Sequence, residues 1–148
     1  MNQPTNSDKI HDLIISAFKQ EFSFLQEKFE IMDLLANGSP MNWDTINTLR
    51  MPTHDYNIVW HPGVYVFIGN NCIYRVGVSM SNSRARVMEH LRDWTAKDGH
   101  CIWDIDNYED KSIILFNVKN AADRHWLLAL ETYLEIKFKP LIKAARIG

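Results

Sequence analysis

Cysteine is scarce in this chain, which has Cys72 and Cys101 among 148 residues and no others. Two cysteines are too few for the disulfide framework of a small secreted protein or for a zinc site built from thiolates. The first residues lack the basic segment followed by an apolar segment that a secretory leader has. No apolar run approaches the roughly 18 residues of a membrane-spanning helix. We therefore expect a reduced, cytoplasmic protein that does not enter a membrane.

Several common catalytic signatures are also missing. The sequence has no glycine-rich phosphate loop, no serine-nucleophile motif and no internal repeat. His54, His61, His100 and His125 do not have the spacing that metal ligands show. These absences argue against a P-loop nucleotide hydrolase, a serine hydrolase and a histidine-rich metal site.

The composition is that of an ordinary globular protein, with 46 % hydrophobic and 23 % charged residues. A single domain of this length buries about 68–70 % of its unfolded surface, which is enough for a core without disulfides. Charge is unevenly distributed along the chain. Residues 1–62 carry eight acidic and four basic side chains, whereas residues 63–148 carry ten and twelve. Any nucleic-acid footprint is therefore expected in the second segment.

Hydrophobic spacing divides the chain into two parts. It predicts a long amphipathic helix over 8–36 and a short helix over 43–50, so that residues 1–62 form an N-terminal helical extension. The pattern then changes to β-branched and aromatic residues in two runs, 63–68 and 72–78, separated by turn residues. Two such runs on either side of a tight turn predict a β-hairpin.

The elements after the hairpin complete the predicted domain at 63–148. A helix is expected to run to about Trp94, and the continuous apolar run at 112–118 predicts a strand in a central position of the sheet. Asn120 is placed to cap a last helix, which must end near Lys139 because a proline follows. This order predicts an α+β fold, in which a small antiparallel three-stranded sheet is flanked by helices.

Four polar residues within these elements are candidates for a site. Tyr65 lies in an otherwise apolar strand, and Arg86 and His90 are four residues apart, so they share one face of their helix. Glu131 lies beside a leucine stripe on the last helix. Each also has an ordinary structural explanation, because strand tyrosines commonly pack and helical charges commonly face water.

Taken with their neighbours, these residues resemble the GIY-YIG nuclease family over about residues 60–142. The resemblance implies a GIY-YIG-like fold and a divalent-metal-dependent endonuclease that hydrolyses DNA phosphodiester bonds with a single Mg²⁺ or Mn²⁺. RNA is the other substrate to be considered. The residues that carry the resemblance are Gly63-Val64-Tyr65, Arg75-Val76-Gly77, Arg86, His90, Glu131 and Pro140.

The resemblance also implies a role for each of the four candidates. Tyr65 takes a proton from the attacking water, directly or through His90, if neighbouring cations lower its pKa from about 10. His90 relays that proton. Arg86 binds phosphate oxygens through its fixed fork of donors, and Glu131 is the metal ligand.

Some positions depart from the family pattern. Arg75 stands where the second motif normally has a tyrosine, and Tyr74 comes one position earlier. Because side chains alternate along a regular strand, Tyr74 and Arg75 should face opposite ways, and packing away from the site is the favoured role for Tyr74. A bulge would instead bring Tyr74 to the site. Lys143 stands where many members have asparagine. Arg75, Arg84, Tyr74 and Lys143 are therefore candidate substrate-binding residues.

Two functions fit these observations. The first is the endonuclease, which requires Tyr65, Arg86 and Glu131 to converge within reach of one phosphate and its metal ion. The alternative is a catalytically weak or inactive module of the same fold that binds nucleic acid or a protein partner. The departures at Arg75 and Lys143 and the pI of about 6.3 favour the alternative. The N-terminal helix can bury its apolar face on the core or in a homodimer.

Overall fold

The computed structural model describes residues 6–35, 57–69, 72–96 and 111–142. The predicted helix at 43–50 and the candidate residue Lys143 lie outside these ranges. No helix within them combines the length and apolarity needed to cross a membrane. The helices are α1 (Asn6–Glu21), α2 (Ser83–Ala96) and α3 (Trp126–Phe138), and the strands are β1 (Phe29–Leu35), β2 (Gly63–Gly69), β3 (Cys72–Ser79) and β4 (Lys111–Val118). Short 3₁₀ helices lie at Ser23–Lys28, Asn57–Trp60 and Ala121–Asp123.

The sheet has four strands in the order β1-β4-β2-β3, and every neighbouring pair is antiparallel. The α+β class and the central position of β4 are confirmed, but the prediction of three strands is wrong. The fourth strand, β1, pairs with β4 from Phe29↔Val118 to Leu35↔Ile113. The predicted long helix therefore ends at Glu21, and the chain after it passes through a 3₁₀ helix into an edge strand.

Helices cover both faces of the sheet, and each face has its own hydrophobic layer. On one face, α1 and α3 pack on apolar side chains of all four strands, with Phe18 of α1 against Phe29 and Phe116. The opposite face carries a smaller layer that includes Val87 and Leu91 of α2. Ile14, Ala17 and Phe18 of α1 are therefore buried in their own chain, whereas Leu13 is exposed. Residues before and after position 62 share one sheet and one core. The leucine stripe of α3 is fully buried and consists of Leu127, Leu130 and Leu134.

An irregularity in β3 and the chain after α3 together shape one end of the sheet. Pairing of β2 with β3 runs regularly to Phe67↔Arg75 and then continues as Ile68↔Ile73, so Tyr74 is the extra residue of a β-bulge. Helix α3 ends at Phe138 and is followed by the capping residue Lys139, which has a left-handed backbone with φ 48°. The chain then turns back, and the amides of Leu141 and Ile142 donate to the β3 carbonyls of residues 73 and 74 at 3.1 and 2.9 Å.

Candidate active site

Tyr65 lies in β2, between two other strands, and its side chain belongs to the layer beneath α2. Only 2 % of the residue is exposed. Its cross-strand neighbour is Gly77. A Cβ atom at position 77 would overlap the Cζ, Oη and Cε2 atoms of Tyr65, so the ring lies directly against the β3 backbone. Glycine at this position is what allows the tyrosine ring to lie there.

The hydroxyl of Tyr65 is bonded to His90 of α2. The distance from Tyr65 Oη to His90 Nε2 is 2.9 Å, and both residues are buried. Phe67 makes edge contacts with both rings, at centroid distances of 5.9 Å to Tyr65 and 6.3 Å to His90. The imidazole is therefore held against two aromatic rings of β2 and is fixed in its position over the sheet.

Arg86 lies one turn before His90 and is also hydrogen-bonded to Tyr65. Its Nη1 atom donates to Glu89 Oε2 at 2.7 Å, and the two side chains are 46 % and 47 % exposed. The hydrogen bond that Arg86 donates to Glu89 is the main reason why the pKa of Arg86 is raised above its ordinary value. Arg86 thus interacts with the buried hydroxyl of Tyr65 and, on the solvent-exposed side of α2, with Glu89.

The start of α2 is fixed by polar contacts, of which those made by Asn117 were not predicted from the sequence. Asn117 of β4 is fully buried, accepts from Ser83 Oγ at 2.6 Å and donates to the carbonyl of Ile58 at 2.8 Å. Asn82 caps the helix, since its Oδ1 atom accepts from the amide of Ala85 at 3.0 Å. These contacts position the helix that carries Arg86 and His90. The signal in the sequence is a single asparagine within the apolar run of β4.

Charged groups near Tyr65 act in opposite directions on its pKa. Burial raises the pKa of Tyr65 above 10.0, because a phenolate is poorly solvated inside the protein. The charges of Arg75 and Arg86 lower it, and the charge of Glu131 raises it again. The net shift is upward, opposite to the shift that the predicted role of Tyr65 as a base requires. Tyr65 is therefore a neutral phenol at neutral pH.

The bulge in β3 places both candidates for the second motif, Tyr74 and Arg75, on one side of the sheet. Tyr74 is buried in the same hydrophobic layer as Tyr65, and Arg75 pairs with Phe67 of that layer. Arg75 is also close enough for its charge to act on Tyr65. The prediction that Tyr74 packs on the opposite face is wrong, because the extra residue interrupts the alternation of side chains. The bulge brings both residues to the Tyr65 side of the sheet.

Glu131 is buried on α3, with 2 % of its surface exposed, rather than lying at the water edge of the helix. Its effect on the pKa of Tyr65 places the two side chains within electrostatic range. Carboxylate oxygen is a preferred ligand of Mg²⁺, so Glu131 fits a magnesium ion that keeps several waters. No group of three or more His, Cys, Asp or Glu side chains in the described ranges could hold a metal ion. A metal here would depend on one protein carboxylate.

Arg84 has a different environment from the other candidates. It is 1 % exposed, and its guanidinium carbon lies 4.6 Å from the centroid of the Trp60 ring. Burial lowers its pKa below the ordinary value. Arg84 therefore packs against the 3₁₀ helix that precedes β2 and does not present its charge to solvent.

No protein-family model, curated protein or solved structure matches this chain. The resemblance to GIY-YIG nucleases therefore depends on the motif residues of the sequence. Tyr65 is hydrogen-bonded to His90, and Arg86, Arg75 and Glu131 lie close enough to act on its pKa. Those five residues come from two strands and two helices, and they are the ones from which a function can be argued.

Proposed function

We propose that the protein is a divalent-metal-dependent endonuclease that hydrolyses phosphodiester bonds in DNA. The observation that carries this proposal is the hydrogen-bond chain from Arg86 through the Tyr65 hydroxyl to His90. It links a cation suited to phosphate with an imidazole suited to accept a proton. The resemblance to GIY-YIG nucleases supports the same reaction.

The direction of the hydrogen bonds follows from the chemistry of the three groups. A guanidinium can only donate, so the oxygen of Tyr65 accepts from Arg86. In the proposed relay, the Tyr65 hydroxyl donates to Nε2 of His90, 2.9 Å away. The relay requires His90 to be a neutral imidazole with its proton on Nδ1, so that Nε2 can accept. This is the protonation state of a base ready to act.

The raised pKa of Tyr65 is compatible with proton transfer if the phenol acts as a relay. As the water oxygen attacks phosphorus, a water proton passes to the oxygen of Tyr65, and the phenolic proton passes to His90. The P–O bond to the leaving oxygen breaks, and His90 becomes an imidazolium. Tyr65 is neutral before and after the transfer, so no stable phenolate is formed.

The charged residues around the relay stabilise the phosphate. Arg86 and Arg75 neutralise charge on the non-bridging oxygens, and Arg86 offers two parallel donors. Glu131 would hold the Mg²⁺ or Mn²⁺, which when bound supplies a Lewis acid for the leaving oxygen. Because a carboxylate 2 % exposed is desolvated, it attracts a cation more strongly than a surface carboxylate does.

The proposal is tested by incubating supercoiled plasmid with the protein and Mg²⁺ or Mn²⁺. We expect nicking or linearisation by the wild type, loss of it in EDTA, and at least about a hundredfold slower cleavage by Glu131→Gln. Glu135→Gln is the matched control, because Glu135 is a buried carboxylate one turn further along α3. It should keep its activity. Equal cleavage by wild type and Glu131→Gln would contradict the proposed metal ligand.

The alternative is a module that binds nucleic acid or a protein partner without cleaving. The raised pKa of Tyr65 favours it, since a neutral phenol without a working relay is not a base. This function predicts that the wild type shifts a labelled nucleic acid but leaves plasmid and RNA intact with either metal. Cleavage by the purified wild type that Tyr65→Phe abolishes would exclude it.

A further inference from the structure

Arg86 already has an anion bound to it. Its Nη1 atom lies 2.7 Å from Oε2 of Glu89, one turn further along α2. Glu89 immediately precedes His90, so the ion pair lies beside the relay. Both charged side chains are about half exposed, which leaves their pair open to solvent.

A phosphate and the Glu89 carboxylate compete for the same donors. Both bind a guanidinium through oxygens that accept its N–H bonds, and neither can use a donor that the other occupies. An exposed ion pair changes an equilibrium by only about 1.4- to 5-fold. A phosphodiester that contacts Arg75 as well as Arg86 can therefore offset the loss of the Glu89 pair.

We propose that Glu89 occupies the phosphate position on Arg86 in the free protein and must be displaced when nucleic acid binds. The inference rests on the proposed function in taking a phosphodiester as the ligand. Glu89 then acts as an internal competitor. It weakens the binding of every ligand that contacts Arg86. It therefore favours ligands that make further contacts with the site, as a polynucleotide does.

The opposite role, in which Glu89 orients Arg86 for substrate, makes the opposite prediction. Arg86 is also hydrogen-bonded to Tyr65, which is 2 % exposed and fixed against β3. That bond remains when Glu89 is changed, so Arg86 keeps an anchor at the site. Removal of the Glu89 carboxylate should therefore make Nη1 of Arg86 available to a phosphate while the guanidinium stays beside Tyr65.

The test is binding of a fluorescein-labelled short DNA duplex, measured by fluorescence anisotropy in EDTA so that no cleavage occurs. We expect Glu89→Gln to lower the Kd by about two- to fivefold. Glu27→Gln is the control, because Glu27 is also exposed, lies on the 3₁₀ helix before β1 and changes the net charge equally. It should change the Kd by less.

A second pair of variants shows whether the gain depends on Arg86. In an Arg86→Gln background, Glu89→Gln should no longer lower the Kd. Weaker binding by Glu89→Gln, a gain no larger than that of Glu27→Gln, a gain that persists without Arg86, or no binding by either protein would each overturn the inference.

These results are separable from the plasmid test. Cleavage by the wild type without a binding gain in Glu89→Gln would leave the nuclease standing and remove the role of Glu89. A binding gain without cleavage would leave an anion site on Arg86 and remove the hydrolysis.

Discussion

Replacing Gly77 with alanine tests how closely Tyr65 is held against β3. The three atoms nearest to a Cβ at position 77 all belong to Tyr65, and all three would overlap it. The backbone φ of Gly77 lies outside the left-handed region, so alanine meets no backbone strain there. The whole penalty therefore comes from the tyrosine ring.

The size of the effect follows from two opposing contributions. Forcing extra atoms into a packed core costs about 1–3 kcal/mol. Alanine in place of glycine at a permissive backbone position stabilises by about 0.4–1 kcal/mol, through the unfolded chain. We expect Gly77→Ala to lower the free energy of unfolding by about 1–2 kcal/mol in the wild type. In a Tyr65→Leu background, which lacks the three overlapping atoms, the loss should vanish or change sign.

Urea denaturation of four proteins measures this coupling: the wild type, each single variant and the double variant. The coupling free energy should be about 1–3 kcal/mol. An equal loss in both backgrounds would mean that the alanine clashes with something other than Tyr65. The close approach of ring and strand would then be refuted, and with it the reason why the second motif ends in glycine.

Three further perturbations test the site and its support. Tyr65→Phe should slow plasmid cleavage by at least about a hundredfold, because it breaks the relay while keeping the ring; unchanged cleavage would exclude the relay. The raised pKa of Tyr65 adds stability that is fully present below about pH 10 and is lost as pH rises further, because the unfolded tyrosine ionises first. Thermal melts across that range should show a steeper loss for the wild type than for Tyr65→Phe. Asn117→Leu should cost about 1–3 kcal/mol in urea denaturation, because Ser83 Oγ loses its buried acceptor, and a smaller loss would mean that water replaces the asparagine.

The spacing of hydrophobic residues predicted those helices and strands in which it follows a single repeat, that of a helix or that of a strand. The β2–β3 hairpin, α2 and β4 lie within a few residues of their predicted bounds. The prediction that Asn120 caps the last helix is wrong, because Asn120 caps the 3₁₀ helix at Ala121–Asp123 and α3 begins only at Trp126. Strand β1 was missed because it is apolar on both faces: Phe29 and Ile31 pack on one side, and Met32 and Leu34 on the other. Such a segment fits a helical period as well as a strand period.

The properties of the site that the sequence did not predict are those that depend on packing. The resemblance selected both Tyr65 and His90, and these two side chains are hydrogen-bonded to each other. The sign of the Tyr65 pKa shift could not be predicted, because burial by α2 outweighs the nearby arginines. The bulge at Tyr74 could not be predicted either, since it is set by pairing with β2 rather than by its own sequence.

The segment that follows α3 affects whether another polypeptide can pair with the edge of the sheet. The backbone of Leu141 and Ile142 satisfies carbonyls at 73 and 74, on the outer edge of the strand that carries Arg75. An exposed strand edge is a template for pairing with another polypeptide, and this stretch is already occupied by the protein itself. A peptide that adds a strand at this point would first have to displace that segment. Among the described residues, the sheet's other edge strand is β1, which pairs with β4 on one side only.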